Sequence, residues 1–190
     1  MKTTSIMIVG VGGQGSLLAS RLLGTLLTDE GYDVKVSEVH GMSQRGGSVV
    51  TYVRYGEKVY SPVVTEGECY FIISFEKLEA ARYADCLRRG GKIIVNTQEI
   101  DPMPVITGAA EYPSGILDEL KARGFDVDAF DALTPAMEAG SAKAVNIVLM
   151  GHFATRSGIA KEKWTAALEQ TVPARFLDMN RKAFEAGYGG

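Results

Sequence analysis

The feature that most restricts the fold is a junction near the N-terminus, where the apolar run Ile6-Met7-Ile8-Val9 passes directly into Gly10-Val11-Gly12-Gly13-Gln14-Gly15. A strand without polar alternation is covered on both faces. A glycine turn leading from such a strand into a helix, expected over about Gln14 to Glu30, opens a βαβ unit. Gly10 is expected to permit the tight turn, Gly12 and Gly13 to let backbone N–H groups approach an anion, and Gly15 to let the helix pack on the strand. The helix N-terminus adds unpaired N–H groups and about half a positive charge. Two readings stay open from this motif alone: an anion site, or glycines that only close strand on helix. A dinucleotide site also wants an acid ending the second strand. Glu38, in Asp33-Val34-Lys35-Val36-Ser37-Glu38-Val39, lies in range but is followed by Val39 and a second glycine-rich loop.

That loop, His40-Gly41-Met42-Ser43-Gln44-Arg45-Gly46-Gly47-Ser48, joins an imidazole, a guanidinium, an amide and hydroxyls with three glycines. A connector needs no such set. Arg45 is suited to grip a carboxylate or phosphate in bidentate fashion, or else to form an ion pair with a neighbouring strand or subunit. His40 has polar neighbours able to tune it near neutrality, or it holds the loop. The candidate binding residues are therefore Gly10, Gly12, Gly13, Gln14, Gly15, His40, Ser43, Gln44, Arg45, Gly46 and Gly47, with none assigned as catalytic. The two turns are expected to form one mouth for an anionic group presented by a second chain.

With Val9 to Gly15 and the strand Ser48 to Gly56, this loop resembles the γ-type domain of 2-oxoacid:ferredoxin oxidoreductases. Val36 to Val49 most resembles the small (β) subunit of indolepyruvate:ferredoxin oxidoreductase, and the likeness returns at Gly140 to Asn146 and Asn180 to Tyr188. The resemblance implies an enzyme subunit that is inactive alone. Its large (α) partner is expected to carry thiamine diphosphate, Mg and [4Fe-4S] clusters, with aryl pyruvates as substrates, coenzyme A as co-substrate and ferredoxin as acceptor. The products are then acyl-CoA, CO2 and reduced ferredoxin. This chain is expected to hold no cofactor firmly and to cover the active-site mouth, its two turns helping to receive coenzyme A or the cofactor-bearing cleft. The alternatives are a γ subunit acting on pyruvate, 2-oxoglutarate or a branched-chain acid, a free-standing NAD-binding Rossmann protein, and a purely structural interaction domain.

Composition bounds these readings. The 190 residues suit one domain, and a net charge of −3 without a basic run argues against nucleic acid. No apolar stretch reaches the roughly 20 residues that span a bilayer, so no membrane association is expected. The N-terminus shows no signal-like succession, and a cytoplasmic location is expected. Cys69 and Cys86 stand apart with no C-x-x-C pattern, as small core residues. No nucleophilic triad or metal cluster is apparent, and His152, in an apolar helix, is expected to be a hydrogen-bonded core residue.

The expected class is α/β: a three-layer Rossmann-like domain over residues 1–190, with a mixed, mostly parallel sheet and C-terminal helices. After the second loop, Val49 to Tyr55 reads as a strand, and Lys58 to Ser61 as its hairpin partner across Gly56-Glu57. Tyr70 to Phe75 is a buried strand, Glu76 to Arg89 a helix closed by Gly90-Gly91, and Lys92 to Asn96 a strand. Val105 to Thr107 is at best a short edge strand. A helix follows from about Ser114 to Arg123, then a strand over Val127 to Ala132, while Ala136 to Gly140 reads as a short helix or a loop. Helices from Ser141 to about Arg156, Lys161 to Thr171 and Pro173 to Glu185 end the chain, and the first is apolar enough to be covered on several sides, by the sheet or by a second subunit, with its Val145 to Phe153 stretch expected at an oligomer or partner interface. Asn146 and Asn180 are expected to tie a loop or helix end.

Overall fold

The computed structural model describes residues 3–39 and 47–190. Among these residues six strands form one sheet: β1 (Thr4–Val11), β2 (Asp33–Val39), β3 (Ser48–Gly56), β4 (Cys69–Ser74), β5 (Leu87–Asn96) and β6 (Asp126–Phe130). Their order is β2-β3-β1-β4-β5-β6. β1, β4, β5 and β6 pair in parallel. β3 runs antiparallel to both of its neighbours, β1 and β2. The sheet is therefore mixed and mostly parallel, as expected, with one reversed strand set between β1 and β2.

Helices cover both faces. They are α1 (Ser16–Asp29), α2 (Lys77–Tyr83), α3 (Met103–Ile106), α4 (Ile116–Ala122), α5 (Leu133–Ala139), α6 (Val145–Ser157), α7 (Lys161–Thr171) and α8 (Ala174–Tyr188). Successive strand residues point to opposite faces, which explains the unbroken apolar run of β1. Ile6 and Ile8 join the core formed with α1, α6, α7 and α8, including Leu22, Leu26, Phe153 and Trp164. Met7 and Val9 join the core under α2 and α4, with Ala80 and Leu120. The apolar α6 is covered within this chain: every residue from Val145 to Ala154 is buried.

The tightest helix contact is between α6 and α8, and two glycines permit it. A Cβ at Gly151 would lie 2.2 Å from the Phe184 carbonyl oxygen, and one at Gly187 would lie 1.9 Å from that of Val148. Gly24, in the middle of α1, differs: a Cβ there would meet nothing nearer than Val36 Cγ2 at 3.7 Å.

Three expectations are corrected and one open choice is settled. Lys58 to Ser61 forms no strand, because β2 and β1 already occupy both edges of β3. Instead the Val59 amide donates to Asp33 Oδ2 at 2.9 Å. The helix after β4 stops at Tyr83, a 3-10 turn spans Ala84–Cys86, and β5 begins at Leu87. Gly90 and Gly91 thus lie within a strand, where the β4–β5 register shifts between Cys69 and Phe71. A Cβ at Gly91 would sit 2.9 Å from the Tyr70 carbonyl oxygen, so close backbone approach rather than helix capping is what this glycine permits. Met103–Ile106 is one turn of helix rather than a strand, entered through Pro102. Residues 133–139 resolve the open choice as a helix ended by left-handed Gly140 (φ 118°).

Candidate functional site

The first turn is fixed by side chains from distant parts of the chain. Gln14 Oε1 accepts from the Val11 amide at 2.7 Å, and its Nε2 donates to the Phe75 carbonyl at 3.0 Å. Gly10 does not make the turn; it is paired in β1 with Val49. A Cβ there would lie 2.8 Å from Gln14 Oε1 and 3.1 Å from Phe75 Cβ, so Gly10 makes room for the clamp. The turn itself uses Gly13 (φ 101°) and Gly15 (φ 85°), conformations that favour glycine. The expectation for Gly15 is corrected as well, because its close neighbour is α6 and not the strand. A Cβ at Gly15 would meet Asn146 Nδ2 at 2.5 Å, and that Nδ2 donates to the Gly15 carbonyl at 3.1 Å.

The two glycine turns meet directly. The Gly12 amide donates to the Gly47 carbonyl at 2.8 Å. That amide is therefore engaged within the protein, and the first amides of α1, beyond Gly15, are the helix-end donors that remain. His40, Ser43, Gln44, Arg45 and Gly46 lie outside the described residues. Next to the junction is a cleft of about 300 Å³, with Gly13, Ser16 and Leu17 on one wall and Glu38, Val39 and Val49 on the other. Leu17 and Val39 are exposed there, so the cleft combines apolar walls with a helix end and one carboxylate.

Glu38 does not stand as it would in a dinucleotide fold. In that arrangement the second parallel strand lies beside the first, and its terminal acid reaches a ribose. Here β3 takes that place, and β2 lies two strand spacings, about 10 Å, from β1. Glu38 Oε1 accepts from Ser20 Oγ of α1 at 2.9 Å. A carboxylate on the cleft wall also disfavours a diphosphate beside it.

A second group of polar residues, overlooked in the sequence, gathers at the same edge of the sheet. Glu76 is fully buried: its carboxylate caps α2 by accepting from the Glu79 amide at 2.9 Å, and also accepts from Tyr112 Oη and the Ile100 amide. Burial, followed by this bond to a carboxylate, raises the Tyr112 phenol. Glu79, also buried, accepts from Ser48 Oγ and from Arg82 Nε at 3.0 Å. Burial pushes its carboxyl above the ordinary range, against the lowering effect of those bonds. Asn96 donates to the same Phe75 carbonyl as Gln14 and accepts from the Ala132 amide at 3.0 Å. Glu79 thus holds the Ser48 end of the second turn while Gln14 and Asn96 hold the first. The readable signal was Glu76-x-x-Glu79 directly after an apolar strand, a capping pattern.

His152 is a buried, hydrogen-bonded core residue, as expected. Its Nε2 lies 3.2 Å from Asp128 Oδ1, and its ring stacks on Phe130 at 4.1 Å. Asn146 ties the Gly15 turn, whereas Asn180 donates to the Phe176 carbonyl within its own helix rather than tying a loop. Cys69 is buried, and burial pushes its thiol up to about 12; Cys86 is half-buried, and both are free. No helix among the described residues is long and apolar enough to cross a membrane.

The family model described as pyruvate ferredoxin/flavodoxin oxidoreductase matches residues 5–190. Indolepyruvate oxidoreductase subunit IorB of Thermococcus kodakarensis is 45% identical over 194 residues, which cover 98% of this chain and 95% of the relative. The subunit of the same name from Pyrococcus horikoshii is 44% identical over 195 residues, with 98% and 95% covered. The pyruvate/ketoisovalerate oxidoreductases common subunit gamma of T. kodakarensis is 24% identical over 182 residues, covering 94% and 92%. Pyruvate oxidoreductase subunit PORC of Thermotoga maritima, a crystal structure, superposes with a TM-score of 0.74 at 20% identity over 100% of this chain and 97% of that one. At that identity the likeness shows the fold.

Proposed function

Because the chain belongs to the pyruvate ferredoxin/flavodoxin oxidoreductase family, we propose that it is the small subunit of a 2-oxoacid:ferredoxin oxidoreductase acting on aryl pyruvates, indolepyruvate foremost. The observation that carries the choice of substrate is the gap in identity between two subunits of one organism. The chain is 45% identical to the indolepyruvate oxidoreductase subunit of T. kodakarensis and 24% identical to that organism's pyruvate/ketoisovalerate subunit, each along nearly its whole length. A pyruvate or branched-chain acid is accordingly second.

In this reading the complex converts a 2-oxoacid and coenzyme A into acyl-CoA, CO2 and a proton, passing two electrons to ferredoxin. Thiamine diphosphate, Mg and the iron–sulfur clusters belong to the large subunit, and the cofactor supplies the carbanion chemistry. The small subunit contributes shape. The first turn, joined to Gly47, and the 300 Å³ cleft form a lip at the active-site mouth, suited to a ligand with an apolar body and one anionic group at the α1 end. The buried Cys69 thiol is held well above the range in which a thiolate forms and is no nucleophile.

Reconstitution tests the reading. The purified chain is expected to show no turnover, and adding the large subunit is expected to give coenzyme A-dependent reduction of a viologen dye by indolepyruvate. In a substrate panel, aryl pyruvates should exceed pyruvate, 2-oxoglutarate and branched-chain acids in kcat/KM. Full activity of the large subunit by itself would refute a role for this chain, and a preference for pyruvate would refute the substrate assignment.

A further inference from the structure

At the edge of the sheet opposite the glycine turns, where β1, β4 and β5 begin, lies a second cleft of about 530 Å³. Arg54 of β3 and Arg88 and Arg89 of β5 line it, together with Tyr70 and Glu68. The arginine ion pairs among the described residues involve Arg82, Arg123, Arg156 and Arg181, and none of these three. Among the described residues Glu68 is the one acid on the wall, and its carboxylate accepts from the Thr65 amide at 3.2 Å. In a chain whose net charge is −3, three arginines with a single acid among them form a local excess of positive charge.

Two of the guanidinium groups are already fixed. Arg54 Nη1 donates to the carbonyls of Ser61 at 3.3 Å and Val63 at 2.7 Å, while its buried Nε has no partner. Arg88 lies over the Tyr70 ring at 4.2 Å. Ordering them therefore costs a ligand little. The segment that Arg54 holds also presents apolar surface: Tyr60 is 89% exposed and Val63 51%.

This combination favours a protein over a metabolite. Arginine and tyrosine are enriched at protein interfaces, whereas small ligands are enclosed by mostly apolar walls. Ligands of α/β sheets bind beyond the carboxyl ends of the strands, and this cleft is at their amino ends. We propose that the Arg54–Arg88–Arg89 cleft docks an acidic segment of the large subunit, whose carboxylates pair with the guanidinium groups while Tyr60 and Val63 pack at the flank. The inference rests on the reading of this chain as a small subunit.

The test measures affinity of the purified chain for the purified large subunit at low and high salt, for wild type, Arg89→Glu and Arg88→Glu/Arg89→Glu. Arg89 is exposed and has no described partner, so its reversal should leave thermal unfolding unchanged. Binding should weaken about tenfold for the single variant and further for the double, because facing like charges oppose association. Both variants should also show a shallower salt dependence than wild type. Unchanged affinity of both variants at low salt would overturn the proposal. So would phosphate or coenzyme A raising the melting temperature of the free chain, an effect lost in Arg89→Glu, if subunit affinity stayed unchanged; that result would mark a small-anion site. If wild type restores coenzyme A-dependent activity and Arg89→Glu matches it at limiting concentration, this inference falls alone. If wild type does not bind the large subunit, the subunit reading falls with it.

Discussion

Two glycines within helices are expected to respond in opposite directions to the same substitution. At Gly187 an added Cβ would lie 1.9 Å from the Val148 carbonyl oxygen and 2.8 Å from its carbon. Against an ordinary contact distance of 3.4 Å, the shortfall of about 1.5 Å falls on backbone of α6, which has no rotamer to change. The helices must separate or shift, and overpacking of this kind costs about 1–3 kcal/mol, here toward the upper end. Alanine returns about 1 kcal/mol of helix propensity. Gly187→Ala should therefore lose about 2 kcal/mol net, or roughly 4–8 °C of melting temperature for a chain of this size. Gly24→Ala gains the same propensity against a nearest neighbour at 3.7 Å, and should raise the melting temperature by roughly 2–4 °C. Thermal unfolding of the three proteins by circular dichroism in one buffer decides the matter. Gly187→Ala melting at or above wild type, or both variants moving the same way, would refute the close-contact account of α6 on α8.

Other expectations concern the site and its supports. Asn146→Ala removes the buried donor to the Gly15 carbonyl; it should cost about 1–3 kcal/mol in urea unfolding. Burial works to raise Asp128, yet the bonds from His152 and Arg156 outweigh it and hold the carboxyl below its ordinary 3.8. Its stabilisation is present above that value and lost as pH falls through the depressed one, so Asp128→Asn should flatten the acid-side loss in urea midpoints measured against pH. Glu79 carries the opposite sign. Its raised carboxyl gives stability below the ordinary 4.5 that is lost as pH rises through the elevated value, so Glu79→Gln should flatten the decline above 4.5.

The local grammar of the fold was readable. Covered apolar runs gave the strands, and glycine punctuation gave β1, the first turn and α1 in the right order. What eluded the reading was set by partners far along the chain. Nothing in residues 48–56 says that β3 will enter between β1 and β2, because that choice is made by two edges at once, and Lys58 to Ser61 alternates as well as a true return strand would. Gly90-Gly91 follows a helical pattern as a cap would, and only the backbone of Tyr70 shows its other use. In the candidate site, the glycines and Gln14 were visible, but their roles depend on Phe75 and Asn146. Glu76 and Glu79 were legible as a cap and were read only as a helix start. The Arg54 cleft was hidden because its arginines come from two strands separated by β1 and β4 in the sheet.

The bond between Asn146 and the Gly15 carbonyl joins residues 131 positions apart. During synthesis on the ribosome, β1, its turn and α1 emerge long before α6 exists. The lip of the cleft therefore reaches its final shape only once the C-terminal third has been made and docked. A nascent or prematurely terminated chain would present the glycine sequence without the working geometry.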